Sequence, residues 1–243
     1  MTGIEAARLG RTFAGGAGVH DIDMRVDAGS LHALIGLNGA GKSTLMRLLL
    51  GMLAPQRGSV RIAGHDPRRA EAELGPLVGH LIEYPLAYGE LTARANLELG
   101  ARLHGVPAAE VRTTVARVLD ELDLERFSDV RARRLSLGNR QRLGLASALQ
   151  HDPRVIVLDE PSNALDPAGV VLLREALVRR ARDGAAVLVS SHHLDEVARI
   201  ADVITVINGG RIIGSLEPRQ SELEHAFFEL VHADDRARAE VAA

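Results

Sequence analysis

The stretch Gly36-Leu37-Asn38-Gly39-Ala40-Gly41-Lys42-Ser43-Thr44 restricts this chain more than any other, because it fits the pattern G-x-x-x-x-G-K-[ST]. The apolar run Leu31, Ala33, Leu34 and Ile35 precedes it and Leu45 to Leu50 follows, so a strand, a tight loop and a helix are predicted in that order. The glycines let the backbone curl until successive N–H groups point inward, and the helix behind adds the positive end of its dipole. Such a cradle takes phosphate. Lys42 is placed to reach the outer phosphates and the Ser43 hydroxyl to ligate Mg2+, with Asn38, Gly39, Ala40, Gly41 and Thr44 completing the cradle. The loop predicts a nucleotide without saying which machine uses it.

A chain of 243 residues can bury a large core and fits one domain, or one domain with a subdomain. Its 29 Lys and Arg nearly balance 32 Asp and Glu, so no global field argues for nucleic acid or anionic lipid. Cysteine is absent, which removes disulfides, cysteine-type zinc sites and thiol catalysis and suits a reducing compartment. Met1 to Phe13 has no apolar signal core. No apolar run approaches the roughly 18 residues that cross a bilayer, so service to a membrane is expected to run through a partner.

In chain order, residues 1 to 35 read as short strands broken by Gly15-Gly16 and Ala28-Gly29, with Phe13 either a ring stacked on a nucleotide base or a core side chain. Gly58 to Gly64 reads as a short alternating strand, and His80-Leu81-Ile82-Glu83-Tyr84-Pro85 as a strand end whose Glu83 is a solvated loop acid. From Leu91 to Gln150 the pattern turns helical: Pro107 marks a helix start, and Val111, Val115, Val118, Leu119 and Leu122 recur on one face. Arg131, Arg133 and Arg134 read as a solvated basic face, and Ser136 as the N-cap of a helix through Leu149. Val155-Ile156-Val157-Leu158 is an apolar run suited to burial on both faces of a parallel sheet, and it ends in Asp159-Glu160. In a phosphate-loop protein the first acid organises Mg2+ and the second works on water. Ala185 to Ser191 is a second buried run, ending in His192-His193, whose side chains are expected on opposite sides so that one of them is active and a metal pair is not formed. Val203 to Ile207 and Ile212-Ile213 flank a hairpin signal, and the tail is expected to dock a helix through Phe227, Phe228, Leu230 and Val231 and to fray from Ala233.

Taken together, these pieces resemble the nucleotide-binding subunit of an ABC transporter over nearly the whole chain. The order of phosphate loop, Glu83-bearing loop, helical insert, Leu135-Ser136-Leu137-Gly138, Asp159-Glu160-Pro161, Asn163-Ala164-Leu165-Asp166 and Ser190-Ser191-His192 carries the resemblance. It implies an α/β fold: a P-loop NTPase core of RecA type, with a mainly parallel sheet, flanking helices, an antiparallel β-subdomain and an inserted α-helical subdomain. Residues 1–88 and 151–215 would form the ATP-binding core, 89–150 the helical subdomain, and 216–243 a C-terminal helix and tail. Ser136 and Gly138 fall on the signature that contacts the γ-phosphate held by an opposite subunit. Glu160 falls on the general base, Asp159 on the Mg2+-organising acid, Asp166 on the loop linking the two sites, His192 on the γ-phosphate switch and Phe13 on the adenine-stacking aromatic.

Three departures stand out. Leu137 replaces the commonest glycine, Asn139 the commonest glutamine, and Glu83 the usual Mg2+-contacting glutamine. With Gln141-Arg142-Leu143, they resemble the bacitracin-type and lantibiotic-protection branch of drug exporters. Glu83 can ligate Mg2+ and, by the same charge, compete with Glu160 for position. The resemblance implies ATP and Mg2+ as cofactors, a homodimer or paired homologous subunit, a separate membrane permease, no nucleic acid, and a peripheral place on the cytoplasmic face of the cell membrane. An importer motor and a soluble ABC ATPase of ribosomes or DNA stand as alternatives. A GTP switch is disfavoured, because its Asn-Lys-x-Asp motif is absent.

Overall fold

The computed structural model describes residues 2–242; Met1 and Ala243, the first residue of the start without a signal core and the last of the tail, lie outside them. A three-stranded antiparallel sheet holds β1 (Thr2–Thr12), β2 (Gly18–Asp27) and β4 (Arg57–Ile62) in the order β2-β1-β4. A six-stranded sheet holds β3 (Leu31–Ile35), β5 (Val78–Leu81), β6 (Val155–Leu158), β7 (Ala186–Ser191), β8 (Val203–Asn208) and β9 (Arg211–Leu216), in the order β5-β6-β7-β3-β8-β9. Only its last pair is antiparallel. Strands β3, β6 and β7 are buried at every position, because helices and the second sheet cover both faces, and continuous apolar runs are the sequences that tolerate this.

Parallel register has a direct consequence for chemistry. Leu81 lies beside Leu158, Leu158 beside Val189, and Ile35 beside Ser191, so the residues that follow each strand emerge along one edge. The open loop ends of such a sheet are where polar groups can gather without interrupting the ladder.

Helix α1 (Lys42–Leu49) buries Leu45, Met46, Leu48 and Leu49 against Ile4, Ile22, Val157 and Leu188, which fixes the phosphate loop between the two sheets. After α2 (Glu71–Leu74), the segment between β5 and β6 folds as α3 (Ala93–Leu103), α4 (Val111–Glu121) and α5 (Leu137–Leu149). The apolar stripe Val111, Val115, Val118, Leu119 and Leu122 is buried throughout, as its spacing requires. Ser136 caps α5, its side-chain oxygen accepting from the Asn139 N–H at 3.2 Å. Gly79 is needed where α5 approaches β5, since a Cβ there would lie 2.0 Å from the Ala148 carbonyl oxygen. Arg131 and Arg133 are half exposed and pair with Glu90, in line with a solvated basic face.

The remaining helices are α6 (Pro167–Arg182), α7 (Leu194–Ala198) and α8 (Leu223–Ala242). α8 docks through Leu223, Phe227 and Val231 onto Ile204, Val206 and Leu216. It does not fray at Ala233. Asp234 and Asp235 both accept from the Asn208 amide and pair with Arg238, so charged residues expected to dissolve the helix tie it to the end of β8.

His32 lies in β3, 5% exposed, its Nε2 2.7 Å from Thr205 Oγ1, and burial pushes its pKa down to about 4. The folded state therefore holds His32 neutral while the unfolded chain would protonate it near pH 6.5. Its contribution is fully present above that value and lost as pH falls toward 4, with a slope of at most about 1.4 kcal/mol per pH unit. Urea unfolding between pH 7.5 and 4.5 should show His32→Gln with a slope shallower by up to that amount; an unaltered slope would count against the assignment.

Candidate functional site

The site starts from Lys42. Its side chain is 7% exposed, and a buried ammonium must find anions or carbonyl oxygens. Nζ donates to the Gly36 carbonyl at 2.6 Å and lies 3.2 Å from Glu160 Oε1. Residues Leu37 to Thr44 and Glu160 line a cavity of about 220 Å³, with Asn38, Gly39, Ala40, Gly41, Ser43 and Thr44 among them. Gly41 has φ 107°, in the left-handed region, where the chain leaves the loop and enters α1. The loop is anchored from behind, as the Gly210 N–H donates to the Ala40 carbonyl at 2.9 Å.

Asp159 and Glu160 follow β6. Asp159 is 5% exposed and accepts from Ser190 Oγ; among the described residues it forms no ion pair. A buried carboxylate with no cationic partner among the described residues, and the Ser43 hydroxyl in the wall of the cavity, are hard-oxygen donors of the kind that Mg2+ takes. Glu160 has φ 47°, its N–H donates to Ser190 Oγ at 2.9 Å, and its carboxylate lies between Lys42 and His192, with His192 Nδ1 at 2.8 Å. Ser190 therefore fixes both acids. In the sequence Ser190 enters only as part of Ser190-Ser191-His192, and its hold on both acids is visible only in the fold.

His192 and His193 do not diverge as expected. Their rings lie 3.9 Å apart at 43°. Strand β7 ends at Ser191 and His193 already occupies the N-cap of α7, so strand alternation stops before it reaches them. Among the described residues, no group of three or more His, Cys, Asp or Glu is placed to hold a metal.

The other predicted residues stand away from the cavity. Ser136 and Gly138 sit at the exposed start of α5, where a Cβ on Gly138 would come 2.8 Å from the Ala164 carbonyl. Asp166 caps α6 by accepting from the Gly169 N–H at 3.0 Å and pairs with Arg142, buried to 7% exposure in α5. The Arg142 guanidinium, helped by that N–H, holds the Asp166 carboxyl below the usual range. Arg142 was read only as part of a motif; here it ties α5 to α6 and also reaches Asp123 at 3.1 Å. Phe13 is 39% exposed in the β1–β2 turn, with the Arg11 guanidinium 5.2 Å from its ring centre. Glu83 pairs with Arg47 and does not line the cavity.

Because Glu160 neutralises Lys42, an incoming phosphate must displace a carboxylate. Glu160→Gln should therefore tighten binding of ATP in the absence of divalent metal about threefold to tenfold, the range of a modest ion pair. Calorimetric titration of the two proteins would measure it, and weaker binding by the variant would contradict the displacement.

The family profile described as ABC transporter matches residues 19–163. The bacitracin transport ATP-binding protein BcrA of Enterococcus faecalis is 36% identical over 86% of this chain and 68% of its own. The lantibiotic transport ATP-binding protein SrtF of Streptococcus pyogenes is 36% identical over 86% of this chain and 89% of its own. A solved structure of an ATP-binding subunit of an ABC transporter superposes with a TM-score of 0.88 at 29% identity, over 94% of this chain and 99% of that one. A phosphate cradle at the edge of a mainly parallel sheet, the Glu160 carboxylate in its wall, and these likenesses lead to one conclusion: the chain belongs to the ABC transporter family, as an ATP-binding and ATP-hydrolysing subunit.

Proposed function

We propose that this subunit powers export, closing as a head-to-tail pair around two ATP–Mg2+ and driving a separate membrane permease that extrudes a drug, an antimicrobial peptide or a lipid-like compound. The observation that carries the motor reading is the Glu160 carboxylate, held at once by Lys42 and His192 at the mouth of the phosphate cavity. The bacitracin and lantibiotic transport relatives support the export direction.

Each residue then has a task. The Gly36–Thr44 backbone and Lys42 bind the phosphates, and Phe13 stacks on the adenine. Ser43 and Asp159 would hold Mg2+, joined by Glu83; when bound, the ion neutralises phosphate charge as it develops. Glu160 orients water and takes its proton, while His192 holds Glu160 and contacts the γ-phosphate. Ser136 and Gly138 serve the nucleotide of the partner subunit, and Asp166 lies on the path between the two sites. Two observations support the pairing: Ser136 and Gly138 lie outside the phosphate cavity of their own chain, and Leu137 beside them is 62% exposed. A two-fold pair with each signature facing the other cradle completes both sites by symmetry. ATP is then part of the interface, and loss of its γ-phosphate releases contacts that only the closed state makes.

Residues 1–88 and 151–215 act as the ATP-binding core, 89–150 as a helical arm and 216–243 as a docked extension. No described helix is long and apolar enough to cross a membrane. A separate permease docks on the loop after Glu83, where Tyr84, Leu86 and Tyr88 are 79%, 86% and 64% exposed. Clustered exposed apolar side chains of this kind mark interaction surfaces. The subunit sits as a peripheral protein on the cytoplasmic face.

Glu160→Gln should lower ATP turnover about a hundredfold or more, the usual contribution of a positioned base, and accumulate an ATP-bound dimer on size exclusion. Turnover like that of the unmodified chain would remove Glu160 from the role. Ser136→Ala should weaken ATP-driven dimerisation while monomer ATP binding stays within about twofold, as expected when a removed contact lies across the interface. Equal loss in both measurements would refute the opposite-subunit assignment.

A further inference from the structure

Strands β5 and β6 are parallel neighbours with Leu81 beside Leu158, and two residues beyond each of these stands a glutamate, Glu83 and Glu160. Both take left-handed backbone, with φ 62° and 47°. A glutamate rarely adopts this conformation, which persists only where surrounding contacts hold it. One helix supplies a basic partner to each carboxylate: Lys42 at the start of α1 pairs with Glu160, and Arg47 farther along it pairs with Glu83. Ser43 and Arg47 are four residues apart and share a face of α1, about 6 Å apart along the axis. The Glu83 carboxylate is therefore tethered to a side chain rooted about one helical turn beyond Ser43, on the helix that carries the hydroxyl assigned to Mg2+.

We propose that Arg47 is a positioning residue, which holds Glu83 in reserve beside the metal position and releases it to Mg2+ when the nucleotide complex binds. This rests on the reading of Ser43 and Asp159 as metal-holding residues. An ion pair whose side chains are 35% and 43% exposed is weakly held, so it exchanges readily for a hard cation. While the pair lasts, the second acid is neutralised, and Glu160 alone faces Lys42 and the incoming phosphates. The glutamate that departs from the family's usual glutamine thus has a counter-charge of its own in this chain.

The test uses Mn2+ as a spectroscopic stand-in for Mg2+, titrated into the full chain with a non-hydrolysable ATP analogue and followed by electron paramagnetic resonance. Arg47→Gln keeps the side-chain stem but removes the competing charge, so Mn2+ should bind about threefold to tenfold more tightly, as expected when a carboxylate ligand is freed. Arg47→Lys should restore affinity to within about twofold of the unmodified chain, because the counter-charge returns. In a Glu83→Gln background, Arg47→Gln should change nothing, since residues acting through one contact do not add. Equal tightening in both backgrounds, or none in either, overturns the proposal. Glu83→Gln alone gives a measure that needs no change at Arg47: Mn2+ should bind about threefold more weakly, and unaltered affinity also overturns it. Asp159→Asn separates the two levels. If it binds Mn2+ as the unmodified chain does, the metal site itself is misassigned and the role of Arg47 falls with it; if it binds weakly and the cycle fails, only the role of Arg47 is lost.

Discussion

A lysine left 7% exposed needs a counter-charge, and much of the site follows from meeting that need. Lys42 cannot move out to water, because α1 is locked by Leu45, Met46, Leu48 and Leu49 between the two sheets. The partner must come to it. Glu160 does so by turning into left-handed backbone straight after β6, and that turn is secured by the Glu160 N–H on Ser190 Oγ. The same hydroxyl donates to Asp159, so one serine at the end of β7 sets the direction of both acids. The cradle is thus closed by an internal ion pair, for which an entering phosphate exchanges.

The helical insert reaches this centre through α5. At one end the backbone of α5 lies so close to β5 that Gly79 has no space for a side chain. At the other, Arg142 grips Asp166 at the head of α6, and the Gln141 amide donates to the Pro161 carbonyl just past Glu160 at 3.0 Å. A rotation of the insert would therefore pull on the strand leading to Glu83, on the residue after Glu160 and on the cap of α6 together. Rigid elements joined through few polar contacts suit a two-state device, in which small shifts at one end are felt at the other.

Much of the architecture was legible in the sequence where a local pattern has one physical solution. The Val155–Leu158 run fits only burial on both faces, the Val111 to Leu122 spacing fits one side of a helix, and Ser136 before an apolar run is a cap. The phosphate loop was legible because its glycines are backbone requirements. What escaped was pairing at long range. Arg47 with Glu83, Arg142 with Asp166 and Ser190 with Asp159 join residues 24 to 36 positions apart, and each member alone looks like an ordinary polar side chain. The histidine pair and α8 were misread because a local rule was carried past the end of its element: alternation beyond β7 in one case, fraying of a charged helix in the other.

The burial of Lys42 has one more consequence, which concerns how the protein can be watched. Of the 29 basic side chains in this sequence, 28 are arginines, and Lys42 is the only lysine. The chain has a single ε-amine, and it stands in the phosphate cavity behind a carboxylate. Any reagent specific for lysine reports on one atom, reached only when Glu160 has let go and no phosphate has taken its place. The rate of labelling at that one nitrogen, told apart from the α-amine by peptide mapping, follows how often the cradle opens.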